Sequence, residues 1–221
     1  MDLSVVIPAL DAETTLAATV ASLDGADEIV VVDGGSTDET VKMAEGLGAR
    51  VLQTPKSRGS QLAAGAAAAR GEWLLFVHAD TRLQRGWREA VNEFIAAADS
   101  KTKAAAFRFR LDDESFQARQ LEKIVRWRVH TLGLPYGDQG LLIHRDFYRQ
   151  LGGFRAIPIM EDVDLALRIG RRRFVTLPVA ARTSAKRWRE KGWMLRSLHN
   201  LFCLSLYFIG VPPRLIARIY G

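Results

Sequence analysis

The sequence predicts an α/β fold with a mostly parallel, doubly wound central sheet flanked by helices and a C-terminal helical tail. Three observations predict it. Strand-like and helix-like segments alternate through the first 80 residues, the pattern of successive βαβ units. Glu28-Ile29-Val30-Val31-Val32 is an apolar, β-branched run without alternation, as expected of a strand covered on both faces. It opens into Asp33-Gly34-Gly35, a carboxylate followed by a tight turn. A third segment, Ala63-Ala64-Gly65-Ala66-Ala67-Ala68, is made of residues small enough to let a helix lie close to a sheet.

The elements follow in order. Leu3 to Ile7 reads as a strand, Glu13 to Leu23 as a helix and Glu28 to Val32 as the second strand. A helix over Asp38 to Leu47 follows, with Ser36 and Glu39 spaced as a capping box. Arg50 to Gln53 is a short strand, Ser57 to Arg70 an alanine-rich helix and Trp73 to Val77 a fourth strand. Past Trp87 the rhythm changes. Ala104 to Leu111 alternates through Phe107-Arg108-Phe109-Arg110, which predicts an exposed or edge strand. Phe116 to Thr131 has helical spacing, with Arg119, Arg126 and Arg128 among its polar positions. Gly133 to Gly140 reads as a loop, Leu141 to Ile143 as a strand, Asp146 to Leu151 and Val163 to Gly170 as helices, and Phe174 to Leu177 as a strand. Leu198 to Val211 is apolar, Pro212-Pro213 breaks it, and helical spacing resumes from Arg214. That apolar run is shorter than the roughly 20 residues of a membrane span. Three readings fit it: an interfacial membrane helix, an oligomer contact, or a helix packed on the core. We divide the chain at residue 190, with residues 191–221 as the tail.

Composition narrows the function classes. A single cysteine, Cys203, allows no internal disulfide, and no basic-then-apolar export segment opens the sequence. The expectation is a cytoplasmic protein, held at the inner face of the cell membrane if the tail binds there. The net charge of +6 favours anionic partners. No zinc pattern or RNA-binding aromatic motif accompanies the basic residues, so nucleic acid is not the expected partner. Gly-x-Gly-x-x-Gly, Gly-Lys-Ser/Thr and Gly-x-Ser-x-Gly are all absent, against dinucleotide oxidoreductases, phosphate-loop kinases and α/β-hydrolases.

Four motifs carry chemistry. Asp33 is delivered to the carboxyl end of a buried strand, where open α/β sheets bind ligands. Phe76-Val77-His78-Ala79-Asp80-Thr81 ends a second buried strand in His78 and Asp80, two apart and so on one side. One hard carboxylate with open positions suits Mg2+ or Mn2+. Glu161, Asp162 and Asp164 open a helix, where its dipole favours ionised carboxylates, although ordinary helices also begin this way. Thr183 to Arg189 offers Arg187 for phosphate oxygens and Trp188 as a stacking face. Arg58 and Gln61, at the start of the third helix, are candidates for nucleotide or phosphate contact.

In this order the motifs resemble the family 2 glycosyltransferases of GT-A fold. The matching pieces are Val6-Ile7-Pro8, Val32 to Asp38, Leu75 to Thr81, Gly152-Gly153-Phe154 and Glu161-Asp162. Tyr136-Gly137-Asp138-Gln139-Gly140, Met160-Glu161-Asp162-Val163 and Ser184 to Trp188 are similar to a small bacterial subgroup. The resemblance implies an inverting, metal-assisted transfer of sugar from a nucleoside diphosphate donor to an acceptor hydroxyl. It implies that Pro8, Ala9, Asp33, His78 and Ala79 contact the nucleotide. Asp80 aligns with the last carboxylate of the family's DxD motif, with His78 in its first position as a second metal ligand. Asp162 is implied as the general base, with Glu161 as the competing assignment. Arg187, Trp188, Asp138 and Gln139 face the phosphate or acceptor. The glutamine of the longer Gln-x-x-Arg-Trp element is missing, which argues against a processive synthase. Uridine and guanosine donors both fit Asp33. The acceptor is either lipid-linked or soluble. The alternatives are a catalytically inactive module that binds a nucleotide sugar or a membrane, and a nucleotidyltransferase. The latter normally has a glycine-rich first loop, where this chain has Pro8-Ala9-Leu10-Asp11-Ala12-Glu13.

Overall fold

The structure, a computed structural model, describes residues 2–220, without the side chains of Arg187 and Lys191. Eight strands form one sheet: β1 (Leu3–Ala9), β2 (Glu28–Asp33), β3 (Arg50–Gln53), β4 (Trp73–Phe76), β5 (Thr81–Leu83), β6 (Ala104–Leu111), β7 (Leu141–His144) and β8 (Phe174–Thr183). Their order is β3-β2-β1-β4-β7-β6-β8-β5. The β3-β2-β1-β4 half is parallel, β7 runs antiparallel to both its neighbours, β6 and β8 are parallel, and β5 is antiparallel to β8.

The first half follows from its side chains. Leu3, Val5 and Ile7 of β1 face one apolar layer, with Leu16, Val20, Trp87, Val91 and Phe94. Val6 faces the other, with Leu62, Ala66, Phe147, Phe154 and Leu165. A sheet buried on both faces needs apolar residues at every strand position, and that is why the valine run of β2 reads without alternation. The helices of the first layer are α1 (Leu16–Ala21), α2 (Thr40–Gly46) and α4 (Trp87–Ala96). Those of the second are α3 (Arg58–Ala68), α6 (Arg145–Gln150) and α7 (Glu161–Ile169). The small residues of α3 do what their size predicts. A Cβ at Gly65 would stand 2.3 Å from Val6 Cγ1 and 2.9 Å from Val32 Cγ2. Gly65→Ala is therefore expected to cost about 1–2 kcal/mol by overpacking, read as a lower urea midpoint at unchanged slope. An unchanged midpoint would contradict this close approach.

Three local expectations are corrected. The Ser36–Glu39 capping box does not form: Glu39 itself precedes α2, and Ser36 turns back to donate its hydroxyl to Asp33 Oδ1. The nearer carboxylate captures the hydroxyl first. Second, β6 lies inside the sheet, between β7 and β8. Alternation reports which face is wet, not whether the strand's edges are paired. Arg108 and Arg110 sit on the wet face, and Arg110 pairs with Glu122 at 2.6 Å. Third, β4 ends at Phe76, and His78 to Asp80 form a turn closed by Thr81 N–H donating to the His78 carbonyl, 3.1 Å. The two side chains therefore leave a turn rather than one face of a strand.

The later helices are α5 (Phe116–Leu132), α8 (Lys186–Lys191), α9 (Trp193–Phe208) and α10 (Pro213–Tyr220). A helix caps on Ser115, whose hydroxyl accepts from Ala118 N–H, and ends at Gly133 with φ 65°. The tail packs one face on the domain: Cys203, Leu204 and Ile216 are buried against Ile159, Met160, Val163 and Ala166.

Candidate active site

The site forms where the carboxyl ends of β1, β2 and β4 lie side by side. Gly34 N–H donates to the Ala9 carbonyl, and Val77 N–H to that of Val6. The loops after β1 and β2 are stapled together. Asp11 Oδ1 accepts from Thr37 N–H, Asp11 N–H donates to Ser36, and Ala12 N–H donates to Thr40. Asp11 holds φ at 46° to do so. Such strain in a non-glycine residue persists only where its surroundings impose it.

Asp33 closes β2. Its carboxylate accepts from Gly35 N–H at 2.9 Å and Ser36 N–H at 3.1 Å, and only 1% of the residue is exposed. Its oxygens are turned to their own loop rather than held open. Gln61 is likewise committed, donating Nε2 to both the Ala9 and Val32 carbonyls at 2.8 Å. It clips the ends of β1 and β2 from beneath.

Arg58, one turn earlier on α3, reaches the other half of the site. It pairs with Glu161 at 3.4 Å and lies in the field of Asp162 and the Tyr220 phenol. The close approach depends on Gly59, where a Cβ would meet the Arg155 carbonyl at 2.2 Å.

The acids opening α7 divide by surroundings. Met160, in a left-handed conformation with φ 65°, sets the entry to the helix. Glu161 is 1% exposed, and its Oε2 is buried with no hydrogen-bond partner among the described residues. Burial pushes it up to about 7; Arg58 opposes the rise and Asp162 reinforces it. Asp164 is held by Arg155 at 2.8 Å and by Arg168, so it belongs to the scaffold. Asp162 is half-buried, accepting from Gly137 N–H at 2.9 Å and Val163 N–H at 2.7 Å.

The 136–140 loop completes the cluster. Asp138 is pushed up to about 7, chiefly by burial; Arg128 and Arg58 pull against this, and Asp162 and Asp80 add to it. Gln139 is turned inward, its amide donating to the Phe107 carbonyl at 3.0 Å. Gly137 packs against the His78 imidazole, where a Cβ would stand 2.3 Å from Nε2. His78, Tyr136, Gly137, Glu161 and Asp162 line a cavity of about 30 Å³ with Leu62, Phe154 and Phe174, room for about one water. Asp80 adds to the negative field that raises Asp138, and its Oδ1 has the Thr81 and Thr183 hydroxyls at 3.5 Å.

Trp188 does not offer a free stacking face. It packs against Phe109, Leu111, Ala118 and Val125, together with Trp193. The Arg187 side chain lies outside the described residues. Three contributions were missed in the sequence: the left-handed Met160, the Gly137–His78 contact, and Arg128, whose guanidinium lies 3.3 Å from the Tyr136 ring centroid. The glycine of Gly137-Asp138 was the one visible signal, since glycine admits close approach.

The model of the glycosyl transferase family 2 matches residues 4–157. The chain belongs to glycosyl transferase family 2. Glucosyl-3-phosphoglycerate synthase of Mycolicibacterium paratuberculosis is 38% identical over 92 residues, 35% of this chain and 28% of that protein. An uncharacterized glycosyltransferase of Rickettsia bellii is 33% identical over 87 residues, 39% of this chain and 29% of that protein. The matches thus span under a third of the length of these relatives. Among solved structures, S. aureus TarS superposes with TM-score 0.65 at 16% identity, covering 100% of this chain and 69% of that one. Glucosyl-3-phosphoglycerate synthase from Mycobacterium tuberculosis, in complex with Mn2+ and UDP-glucose, gives 0.58 at 21% identity, covering 83% and 69%. These likenesses show the GT-A fold of this family 2 member.

Proposed function

We propose that this family 2 chain transfers a glycosyl group from a nucleoside diphosphate sugar to an acceptor hydroxyl, with inversion in a single displacement and with a divalent metal on the diphosphate. The observation that carries the reading is the gathering of Asp80, Asp138, Asp162 and Arg58 into one electrostatically coupled group at the carboxyl ends of the parallel strands. Relatives described as complexes with UDP-glucose and Mn2+ support the donor class and the metal.

The residues present fit a metal that arrives with its own oxygen ligands. Among the described residues no three His, Cys, Asp or Glu side chains form a cage. Asp80 nevertheless offers a hard carboxylate whose hydroxyl neighbours stand at 3.5 Å, leaving capacity for a cation shared with phosphate and water oxygens. Asp80 would hold it, with His78 beside it. When bound, such a metal neutralises charge on the departing diphosphate.

The chain's own groups supply the rest. Arg58, between α3 and α7, adds fixed positive charge on the leaving-group side. Asp162 accepts the proton of the acceptor hydroxyl. Asp138 and Glu161, both raised to about 7 by burial, hold a proton more readily than ordinary carboxylates, which limits the negative charge gathered around an anionic donor. Pro8, Ala9, Asp33 and Ala79 form the nucleotide side, with Asp33 accepting from the base once the Ser36 hydroxyl yields its place. Arg187 is assigned to the phosphate side; Trp188, packed among Phe109, Leu111 and Ala118, and Gln139, whose amide is taken by the Phe107 carbonyl, take no part.

The test is nucleoside diphosphate release from UDP- and GDP-sugars with Mn2+. Asp80→Ala is expected to weaken metal-dependent diphosphate binding by at least about tenfold, measured by calorimetry with and without Mn2+. Unchanged affinity would remove the metal role from Asp80. Donor binding without release for any acceptor would favour the inactive binding module.

A further inference from the structure

We infer that the α9–α10 hairpin is a docking surface for an anionic membrane face. One side of the hairpin is committed to the domain. Cys203, Leu204 and Ile216 pack on α7, and the two helices are locked by Arg196 donating to the Tyr220 hydroxyl at 2.6 Å. The other side is apolar and faces solvent. Met194, Leu198, Leu201, Phe202, Phe208 and Ile209 are each more than half exposed. They fall at i, i+4, i+7, i+8, i+14 and i+15 from Met194, which places them on one face, so they form one stripe along α9, about 24 Å long. The one charged side chain of α9, Arg196, is buried, so no charge interrupts the stripe. An exposed apolar surface of this extent marks an interaction site.

Charge identifies the occupant. Residues 184–221 carry seven Lys and Arg against one Glu, while residues 1–183 balance at 24 against 24. The whole net charge of +6 therefore sits in the segment that exposes the stripe. Arg214 and Arg218 are exposed on α10 beside the exposed Leu215 and Ile219, and Lys186 and Arg189 are exposed on α8. A basic, apolar-striped helix is what binds in the plane of an anionic lipid interface. A second copy is disfavoured, because a twofold contact would set this basic segment against itself. No helix of the described residues is long and apolar enough to cross a membrane, so the contact is peripheral.

The hairpin is mounted on the helix that carries Glu161 and Asp162, and Tyr220 lies within the field of Arg58. Docking would therefore bring the acid cluster to the bilayer and favour a lipid-borne acceptor hydroxyl. That last step rests on the proposed glycosyl transfer; the docking does not.

The experiment is flotation of the full chain with phosphatidylglycerol–phosphatidylethanolamine vesicles, against phosphatidylcholine vesicles alone. Wild type should float with the anionic vesicles only and be released as salt rises. Arg214→Gln and Arg218→Gln should each weaken vesicle affinity about fivefold. Leu198→Ser combined with Phe202→Ser changes only exposed positions, so it should keep the wild-type melting curve while abolishing flotation. Failure to float on anionic vesicles at low salt overturns the inference, as does undiminished flotation of the double serine variant. A wild-type dimer in light scattering that the same variant splits would assign the stripe to a second copy and overturn it equally.

Discussion

Asp162→Asn is expected to lower turnover by about 10²–10⁴-fold and to leave donor affinity unchanged. The geometry separates the two quantities. Asp162 accepts one backbone N–H on each oxygen, from Gly137 and from Val163. A carboxylate has about four acceptor sites, so capacity remains for an incoming hydroxyl. It also lines the cavity beside His78 and Gly137. Asparagine keeps the shape but cannot take a proton, and its amide nitrogen can satisfy neither backbone N–H. The lost hydrogen bond costs about 1 kcal/mol of stability, far less than the loss in rate. Glu161, the competing base, is 1% exposed and paired with Arg58, which opposes its taking up a proton from the acceptor. Glu161→Gln should therefore retain most turnover. Single-turnover rates and calorimetric diphosphate binding distinguish the cases. Equal loss of binding and turnover in Asp162→Asn, or loss of turnover confined to Glu161→Gln, would remove the general-base role from Asp162.

How much of this was legible depended on whether the signal was local. The parallel half of the sheet was, because Val30 to Val32 and Leu74 to Phe76 are buried on both faces and leave an uninterrupted apolar run. The alanine-rich helix was legible too, although Ser57, read as its first residue, is its cap, the hydroxyl accepting from Ser60 N–H. The rest depended on partners far away in sequence. β5 has three residues and exists because Thr81 to Leu83 find the end of β8. β8 runs on to Thr183, past the Leu177 end expected for it, because β6 pairs with it as far as Leu111–Thr183. Site chemistry divided the same way. Acid-rich strand ends were visible, but which acid would ionise was not. Arg58 and Glu161 are 103 positions apart, and nothing near either residue announces the pair. Gln61 fitted a ligand contact by position, yet two backbone carbonyls claim its amide.

Folding stability is expected to fall as pH rises from about 4.5 to 7, and Glu161→Gln to remove much of that fall. Glu161 is shifted from 4.5 up to about 7 by burial, against the pull of Arg58. Below the lower value both folded and unfolded chains hold the proton. Between the two values the folded chain holds more protons than the unfolded one, so stability declines with pH. Above the upper value both are ionised and the whole penalty is present, of order 3 kcal/mol from this group. Asp138 acts in the same direction, rising from 3.8 to about 7. Both acids sense Asp162, so their effects will not add simply. Glutamine removes the charge at constant volume, and Arg58, 39% exposed, can hydrate once its partner is gone. The variant should match the parent near pH 5 and exceed it near pH 8 by about 1–3 kcal/mol, read from urea midpoints at the two pH values. A parent whose stability is flat or rises across the window would contradict this account. The same holds for a glutamine variant that is weaker near pH 8. A buried acid that destabilises the fold at neutral pH is what a site built for ligand rather than for stability contains. The Glu161–Arg58 pair fixes the guanidinium at the mouth of the acid cluster. Loss of the pair should therefore raise stability and loosen donor binding in the same variant.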